Sequence, residues 1–406
     1  MDIWVLVIFA VVYAGMIVGR LPWLALDRAG IALVGGVAVL VAKGWEPSEG
    51  VKAFDIPTLT LLFSLMIVSA QFRISGFYTW VTRRVGAARL SPALLLGLVI
   101  ATSGLLAALL TNDVIALATA PLLIEMASLR GLNPVPFLLG LAAGTNVGSA
   151  ATLVGNPQNI LIGETLDLSF AGYLSYAAAP AALGMTTVWG VIARAYRGRW
   201  QLAAKLPEIE PVRFDLNETL KGMVALGVIV ALFLWGAWPR DLVALGVAGV
   251  LMLDRRLESR RYLTLVDWQL LVLFAGLFVV NAAFRETGAL TEATDWLARN
   301  RVDLHEPGWL FAAVAVLSNI VSNVPAVMLL LPFADHPVSG PGLALFSTLA
   351  GNLIIVSSIA NIIVVDQAAR LGVKVSWREH ARVGIPITLA TFVIAALWLW
   401  VRVGVF

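Results

Sequence analysis

Phe72-Arg73-Ile74-Ser75-Gly76 and Phe284-Arg285-Glu286-Thr287-Gly288 are two versions of one stretch, 212 positions apart (72 to 284). Asp55 recurs as Asp267 at the same spacing (55 to 267). Asn112 with Pro121 recurs as Asn323 with Pro332 at 211 (112 to 323, 121 to 332). The chain is therefore read as an internal duplication.

The duplicated chain is strongly apolar. Hydrophobic residues make up 60% and charged residues 13% of 406, with mean hydropathy +0.89. A soluble domain carries about 25% charge. A duplicated, all-helical, polytopic membrane chain is the pattern of a secondary transporter, which builds one midplane site from two related halves. Cysteine is absent, which excludes disulfides, thiolate metal sites and thiol redox chemistry. The first apolar stretch has Asp2 ahead of it and no basic n-region, so it reads as a true first span and not a signal peptide.

Apolar segments fall near 3–19, 29–43, 55–72, 92–128, 136–163, 172–193, 222–238, 241–253, 267–284, 307–334, 341–365 and 383–403. A span needs about 20 apolar residues. The stretch 92–128 is too long for one helix and is broken by Thr111-Asn112-Asp113. The stretch 307–334 is broken by Ser322-Asn323-Val324-Pro325. Each reads as a re-entrant hairpin. The competing reading is two full spans joined by an outside turn, but the tips are short and lack charged flanks.

Basic residues set the orientation. Arg73, Arg83, Arg84 and Arg89 precede the first hairpin, and Arg130 follows it. Arg194, Arg197, Arg199 and Lys205 open a polar linker. Arg255, Arg256, Arg260 and Arg261, and then Arg370, Lys374, Arg378 and Arg382, form two later clusters. All lie on one face, the cytoplasmic one, if both hairpins are re-entrant. Glu164, Asp167, Glu286, Glu292, Asp295 and Asp335 lie on the other, with Arg285, Arg299 and Arg301 as exceptions. Ten spans, five per half, place both termini outside and force the second half to be inverted. The expected organisation is a first repeat at 1–193, with hairpin 92–128 and unwound helix 136–163. A cytoplasmic linker follows at 194–221. The second repeat is 222–406, with hairpin 307–334 and unwound helix 341–365.

Four polar breaks interrupt apolar surroundings: Thr111-Asn112-Asp113; Asn146 through Thr152, Gly155, Asn156, Gln158 and Asn159; Ser322-Asn323; and Asn352 through Ser357, Ser358 and Asn361. Non-helical backbone is tolerated in a bilayer only where protein or a water-filled cavity satisfies it. These residues are therefore the expected substrate site. Asn156-Pro157 reads as the N-cap and first residue of a restarting helix, whose free N–H groups favour anions. Asn112 and Asn323 are expected to cap the second hairpin arms. The alternative is helix packing by small residues.

Asp113 is an ionisable residue at a hairpin tip, which makes it a functional candidate. Low dielectric favours its neutral acid, whereas a cation or N–H donors favour the carboxylate. It is expected to carry the coupling proton or bind a coupling cation, unless it is only a second helix cap. Its counterpart is Val324. Glu125 is expected in a surface or interdomain contact, and Asp55 and Asp267 as helix caps.

At these residues the chain resembles the ion transporter superfamily, and within it the arsenite efflux permease and related anion permeases. Thr111-Asn112-Asp113 with Pro121, and Ser322-Asn323-Val324-Pro325 with Pro332, resemble the two hairpin tips of arsenite permeases. Thr152-Leu153-Val154-Gly155-Asn156-Pro157-Gln158-Asn159 is similar to the unwound segment of the sodium–dicarboxylate branch. That branch has Thr where Asp113 and Val324 stand here. The resemblance implies a scaffold domain, a mobile transport domain, a homodimer and a bacterial or archaeal plasma membrane. It implies a small inorganic solute with a proton or sodium as coupling ion, no cofactor and no nucleic acid partner. The expected function is efflux of arsenite or antimonite against protons. Sodium-coupled dicarboxylate or other anion transport, sodium–proton antiport and a passive channel are the alternatives. An intramembrane enzyme is disfavoured. No Gly-x-Gly-Asp or His-Glu-x-x-His pattern occurs, and His305, His336 and His380 are scattered.

Overall fold

A computed structural model describes residues 3–19, 24–201, 213–253 and 257–403. Among them the first ten helices are α1 (Ile3–Val18), α2 (Arg28–Lys43), α3 (Pro47–Lys52), α4 (Ile56–Ile74), α5 (Phe77–Gly86), α6 (Pro92–Leu109), α7 (Asn112–Leu129), α8 (Pro134–Ser149), α9 (Pro157–Thr165) and α10 (Phe170–Ala195). The next ten are α11 (Leu216–Trp235), α12 (Arg240–Met252), α13 (Ser259–Leu263), α14 (Trp268–Glu286), α15 (Ala289–Arg299), α16 (Pro307–Val321), α17 (Asn323–Leu330), α18 (Ser339–Ala350), α19 (Ile359–Arg370) and α20 (Trp377–Val403). The order is doubled, element for element. The recurring sequence motifs mark the same corners in each set. Asp55 accepts from the Thr58 amide and Asp267 from the Leu270 amide, each at 3.0 Å, so both are N-caps as expected. Gly76 and Gly288 follow at φ +72° and +74°, conformations that disfavour a Cβ. Each glycine turns the chain into a short amphipathic helix, α5 or α15, which apolar periodicity did not reveal.

The helices fall into two packing groups that exchange partners between the copies. α2 packs on α14, and the equivalent α12 packs on α4. α1 touches α14, and α11 touches α4. Small residues permit the closest of these approaches: a Cβ on Gly276 would lie 2.3 Å from the Ala32 carbonyl oxygen. In the other group α6 packs on α8, α16 on α18, and α10 on α20. Leu389, Val393, Leu397 and Trp400 make an exposed apolar stripe on α20. Such a stripe is suited to hydrocarbon. Among the described residues seven helices are long and apolar enough to cross a membrane: α4, α6, α7, α10, α11, α14 and α20.

Length alone leaves α6 and α7 ambiguous, because each has 18 residues. Their contacts place the turn between them, at the buried Thr111, inside the bundle. The Asn112 amide donates to the Gly155 carbonyl at 3.0 Å, beside the point where α9 begins. α9 then runs on for nine residues, about 14 Å at the helical rise. It ends where the Thr165 hydroxyl donates to Asp55 at 3.1 Å, at the start of α4. The first hairpin tip therefore stops well short of that face. Its open end lies beyond the other end of α4, where Arg130 donates to the Gly86 and Ala88 carbonyls and Arg83 reaches the mostly buried Glu125 at 3.5 Å. Glu125, expected in a surface or interdomain contact, instead sits largely buried in a contact between α7 and the adjacent α5. The second hairpin opens at the opposite end. Its base residue Asp335, paired with His305 at 2.6 Å, lines a crevice of about 620 Å³ together with Asp55, Thr165 and Arg285.

The linker is described only in part: Lys205, Pro207 and Pro211 lie outside the described residues, as do Arg255 and Arg256. Its described end is tied down by the Asp215 amide on the Ser75 carbonyl at 2.9 Å. We propose that the two element sets are inverted repeats of five spans each, divided as the sequence divides them. Single cysteines at Arg84 and Asp295, both exposed, test this with an impermeant thiol reagent on intact cells. Position 295 should label from outside, and position 84 only after permeabilisation. Labelling of both from one side defeats the inversion.

Candidate functional site

Two helices are interrupted at equivalent places. α8 stops at Ser149 and α9 starts at Pro157, with Asn156 as N-cap accepting from the Asn159 amide at 2.9 Å. The predicted restart at Asn156-Pro157 is what the chain does. α18 stops at Ala350 and α19 starts at Ile359 behind Ser358. Each interruption strips carbonyls of their intrahelical donors, and the two copies replace those donors in the same way. The Asn159 amide donates to the Ser149 and Thr152 carbonyls at 3.4 and 3.0 Å. The Asn361 amide donates to the Gly351 and Ile354 carbonyls at 2.7 and 3.4 Å. Tyr173, fourth residue of α10, donates to the Ala150 carbonyl at 2.7 Å. His380, fourth residue of α20, places Nε2 3.1 Å from the Asn352 carbonyl. Every pair across the breaks is 202 positions apart (149 to 351, 150 to 352, 152 to 354, 159 to 361).

The two breaks also bond to each other. Asn146 near the end of α8 accepts from Asn112 and Ser358 at 3.1 and 2.9 Å. It donates to Asn352 and Asn361 at 3.1 and 3.2 Å. Thr348, its counterpart on α18, accepts from Asn156 and Gln158 at 3.1 and 3.2 Å and donates to Asn159 at 3.2 Å. Each hub thus grips the restarting helix of the opposite half. Asn156 also reaches Ser149 at 3.0 Å, which in turn bonds the Asn146 carbonyl, so the network is continuous. Gly155 is required where it stands, because a Cβ there would lie 2.2 Å from the Ser149 carbonyl oxygen.

The hairpin tips enter this network from either side. Asn112 joins at Asn146. Asn323, with its amide oriented to satisfy both ends, donates to the Ser347 and Ser357 carbonyls at 3.1 and 3.3 Å and accepts from Gln158 at 3.2 Å. Neither asparagine is a cap. Thr111 and Ser322 hold the cap positions, without side-chain cap bonds, and Asn112 and Asn323 are the first helical residues. The asparagine side chains instead point into the core and bond across it. Ser322 has φ +77°, a strained value for a residue with a Cβ. Thr152 bonds the Ala108 carbonyl on the first hairpin, and Ser357 bonds the Gly351 carbonyl at 2.9 Å. The expected residues are therefore brought together, joined by amides bonding one another across the breaks.

Two atoms in this core have no partner among the described residues: Asn112 Oδ1 and Asn352 Nδ2. One is an acceptor and the other a donor. An unmet buried polar group costs about 1–3 kcal/mol. Among the described residues no Lys or Arg side chain hydrogen-bonds the core asparagines. Asp113, half-buried in the first turn of α7, has no hydrogen bond or ion pair among the described residues.

Residues 4–342 match the family described as citrate transporter (CitMHS). The chain belongs to that family. It is 32% identical to an uncharacterised transporter of Mycobacterium tuberculosis, over 91% of this chain and 92% of the relative. It is 26% identical to the silicon efflux transporter LSI3 of Oryza sativa subsp. japonica, over 94% of each, and 27% identical to the inner membrane protein YbiR of Escherichia coli, over 85% and 88%. The solved YdaH transporter of Alcanivorax borkumensis shares the fold at TM-score 0.59 and 14% identity, covering 99% of this chain and 98% of that one. The protein is accordingly a multi-pass membrane solute transporter and not an enzyme.

Within this CitMHS-family site, sequence reasoning missed Thr348, Tyr173, His380 and Ser347. Thr348 was findable, because it stands 202 positions after Asn146 (146 to 348). Tyr173 carries no signal beyond being an aromatic early in a helix. The core depends on close backbone contact with the first hairpin: a Cβ on Gly148 would lie 2.3 Å from both Cα and the carbonyl oxygen of Gly104. Gly148→Ala should therefore lower thermal stability by several degrees and reduce the monodisperse fraction in detergent. Gly190→Ala, with open space around it, should change neither. Equal melting curves for the two variants would refute this packing.

Proposed function

We propose that this transporter exports a small uncharged oxyacid, with arsenous acid or its antimony analogue as substrate, in exchange for protons. The supporting observation is the chemistry of the core. It is built from amides and hydroxyls around Asn112, Asn146, Asn156, Asn159, Asn323, Asn352 and Asn361. It offers one unmet acceptor and one unmet donor. Amides donate and accept equally, which suits a molecule whose hydroxyls do the same and which carries no net charge. Among the described residues the core supplies no cationic side chain for a tricarboxylate. Silicic acid, the acid of the element named for the rice relative, is likewise a small polyhydroxylated neutral molecule. The substrate class therefore agrees with that relative better than with the family's name.

Asp113 is assigned the coupling proton, as the unpartnered carboxyl next to Asn112. If substrate and proton are linked through this region, each must alter the other's binding by the same factor. Proteoliposomes with an imposed pH gradient test both parts. Arsenous acid should accumulate against its gradient when protons flow the other way, and silicic acid should compete. Sodium-driven citrate or dicarboxylate uptake without competition by arsenous acid would overturn the assignment. Asp113→Asn should retain the fold and substrate exchange, lose gradient-driven accumulation and flatten the pH dependence. A variant that still concentrates substrate with the parent pH profile makes Asp113 a structural residue.

A further inference from the structure

Arg240 is the first residue of α12. Its Nε lies 2.8 Å from Glu164 Oε1, and its guanidinium donates to the Gly163 carbonyl at 2.7 Å and to the Leu168 carbonyl. Both side chains are largely buried, 12% and 11% exposed. This clamp joins α12, which packs with α4 and α11, to the turn between α9 and α10 in the other packing group. Any sliding of one group past the other must break it.

The duplication supplies a second set of the same parts. Arg28 is the first residue of α2, 212 positions before Arg240 (28 to 240), the spacing that also relates Asp55 to Asp267. Asp366 is 202 positions after Glu164 (164 to 366), the spacing that relates the two breaks. It is the eighth residue after the N-cap Ser358, as Glu164 is the eighth after Asn156. Base and acid are thus both retained at equivalent places, but they do not meet in this structure. Arg28 donates to the Met16 carbonyl at 3.3 Å and has no carboxylate partner among the described residues. Asp366 pairs at 2.8 Å with Arg370, one turn away and well exposed, a type of surface pair that contributes little.

We propose that Arg240–Glu164 and Arg28–Asp366 are equivalent latches that close alternately, one in each end state of the transport cycle. The proposal rests on the reading of the chain as an alternating-access transporter. In such a protein one repeat or bundle rocks against the other about a fixed site. If the two copies exchange conformations, a contact formed by one copy in this state is formed by its duplicate in the other. The latch seen here lies at the end of α4 that carries Asp55 and the 620 Å³ crevice. The unformed one belongs at the opposite end.

The chain has no native cysteine, so Arg28→Cys with Asp366→Cys can be probed by a short bifunctional thiol reagent in reconstituted protein. Crosslinking is expected in a minor fraction and should rise several-fold when Glu164→Gln loosens the opposite latch. The crosslinked protein should cease to transport. As a second measure, Arg28→Asp should slow transport, and adding Asp366→Arg should restore most of it. No crosslink in either background, in protein that elutes like its parent, overturns the proposal. So does a charge exchange that restores nothing. The crosslink requires no substrate. Failure with arsenous acid alongside a formed crosslink would overturn the substrate assignment and leave the latches standing.

Discussion

A bilayer offers no water to a broken helix, and the rest of this molecule follows from how two such breaks are satisfied. Ending α8 and α18 near the middle of the protein exposes carbonyl oxygens, and starting α9 and α19 exposes N–H groups. The chain meets part of this need locally: Asn159 and Asn361 fold their amides back onto the carbonyls of their own breaks. The remainder is met by the other half, through Asn146 on Ser358 and Asn361, and through Thr348 on Asn156 and Asn159. Neither break is satisfied without the opposite copy. This reciprocity ties the two copies together at their breaks.

The same requirement explains which parts of the fold were legible in the sequence. Breaks in apolar runs must carry polar residues, so Thr111 through Asp113, Asn146 through Asn159, Ser322-Asn323 and Asn352 through Asn361 stood out. The structure places all four in one network. Caps at Asp55, Asp267 and Asn156 were readable because capping is local chemistry. Less legible were features decided by distant partners. Asn112 and Asn323 have the residue type of caps, yet their side chains turn inward because Asn146 and Gln158 stand opposite. Tyr173 and His380 are recruited by carbonyls that their own helices do not contain. The amphipathic α5 and α15 were hidden because their charged residues read equally well as a loop.

Spacing carries further information. Elements packed around α4 and α14 repeat at 212, the hairpin tips at 211, and the broken helices at 202. Within an element no insertion is tolerated, since one residue would rotate every later side chain by about 100° of helix. Length differences therefore accumulate between elements, in turns. A single offset cannot find every counterpart, and Thr348 and Asp366 become visible only once the register is reset at each break.

Symmetry of the backbone does not extend to the chemistry. Asn156 faces Ser358, Asn146 faces Thr348, Gln158 faces Ala360, and Asp113 faces Val324 across the duplication. The retained pairs are those that hold the breaks closed, such as Asn159 with Asn361. Asn146 and Thr348 differ in type yet perform the same bridging duty, whereas Asp113 and Val324 differ with no such duty in common. A gradient of one solute can drive another only where their binding is linked, so a difference between the copies at an ionisable residue is the one of most interest. Asp113, which the second copy replaces with Val324, is for that reason the residue we propose for the coupling proton.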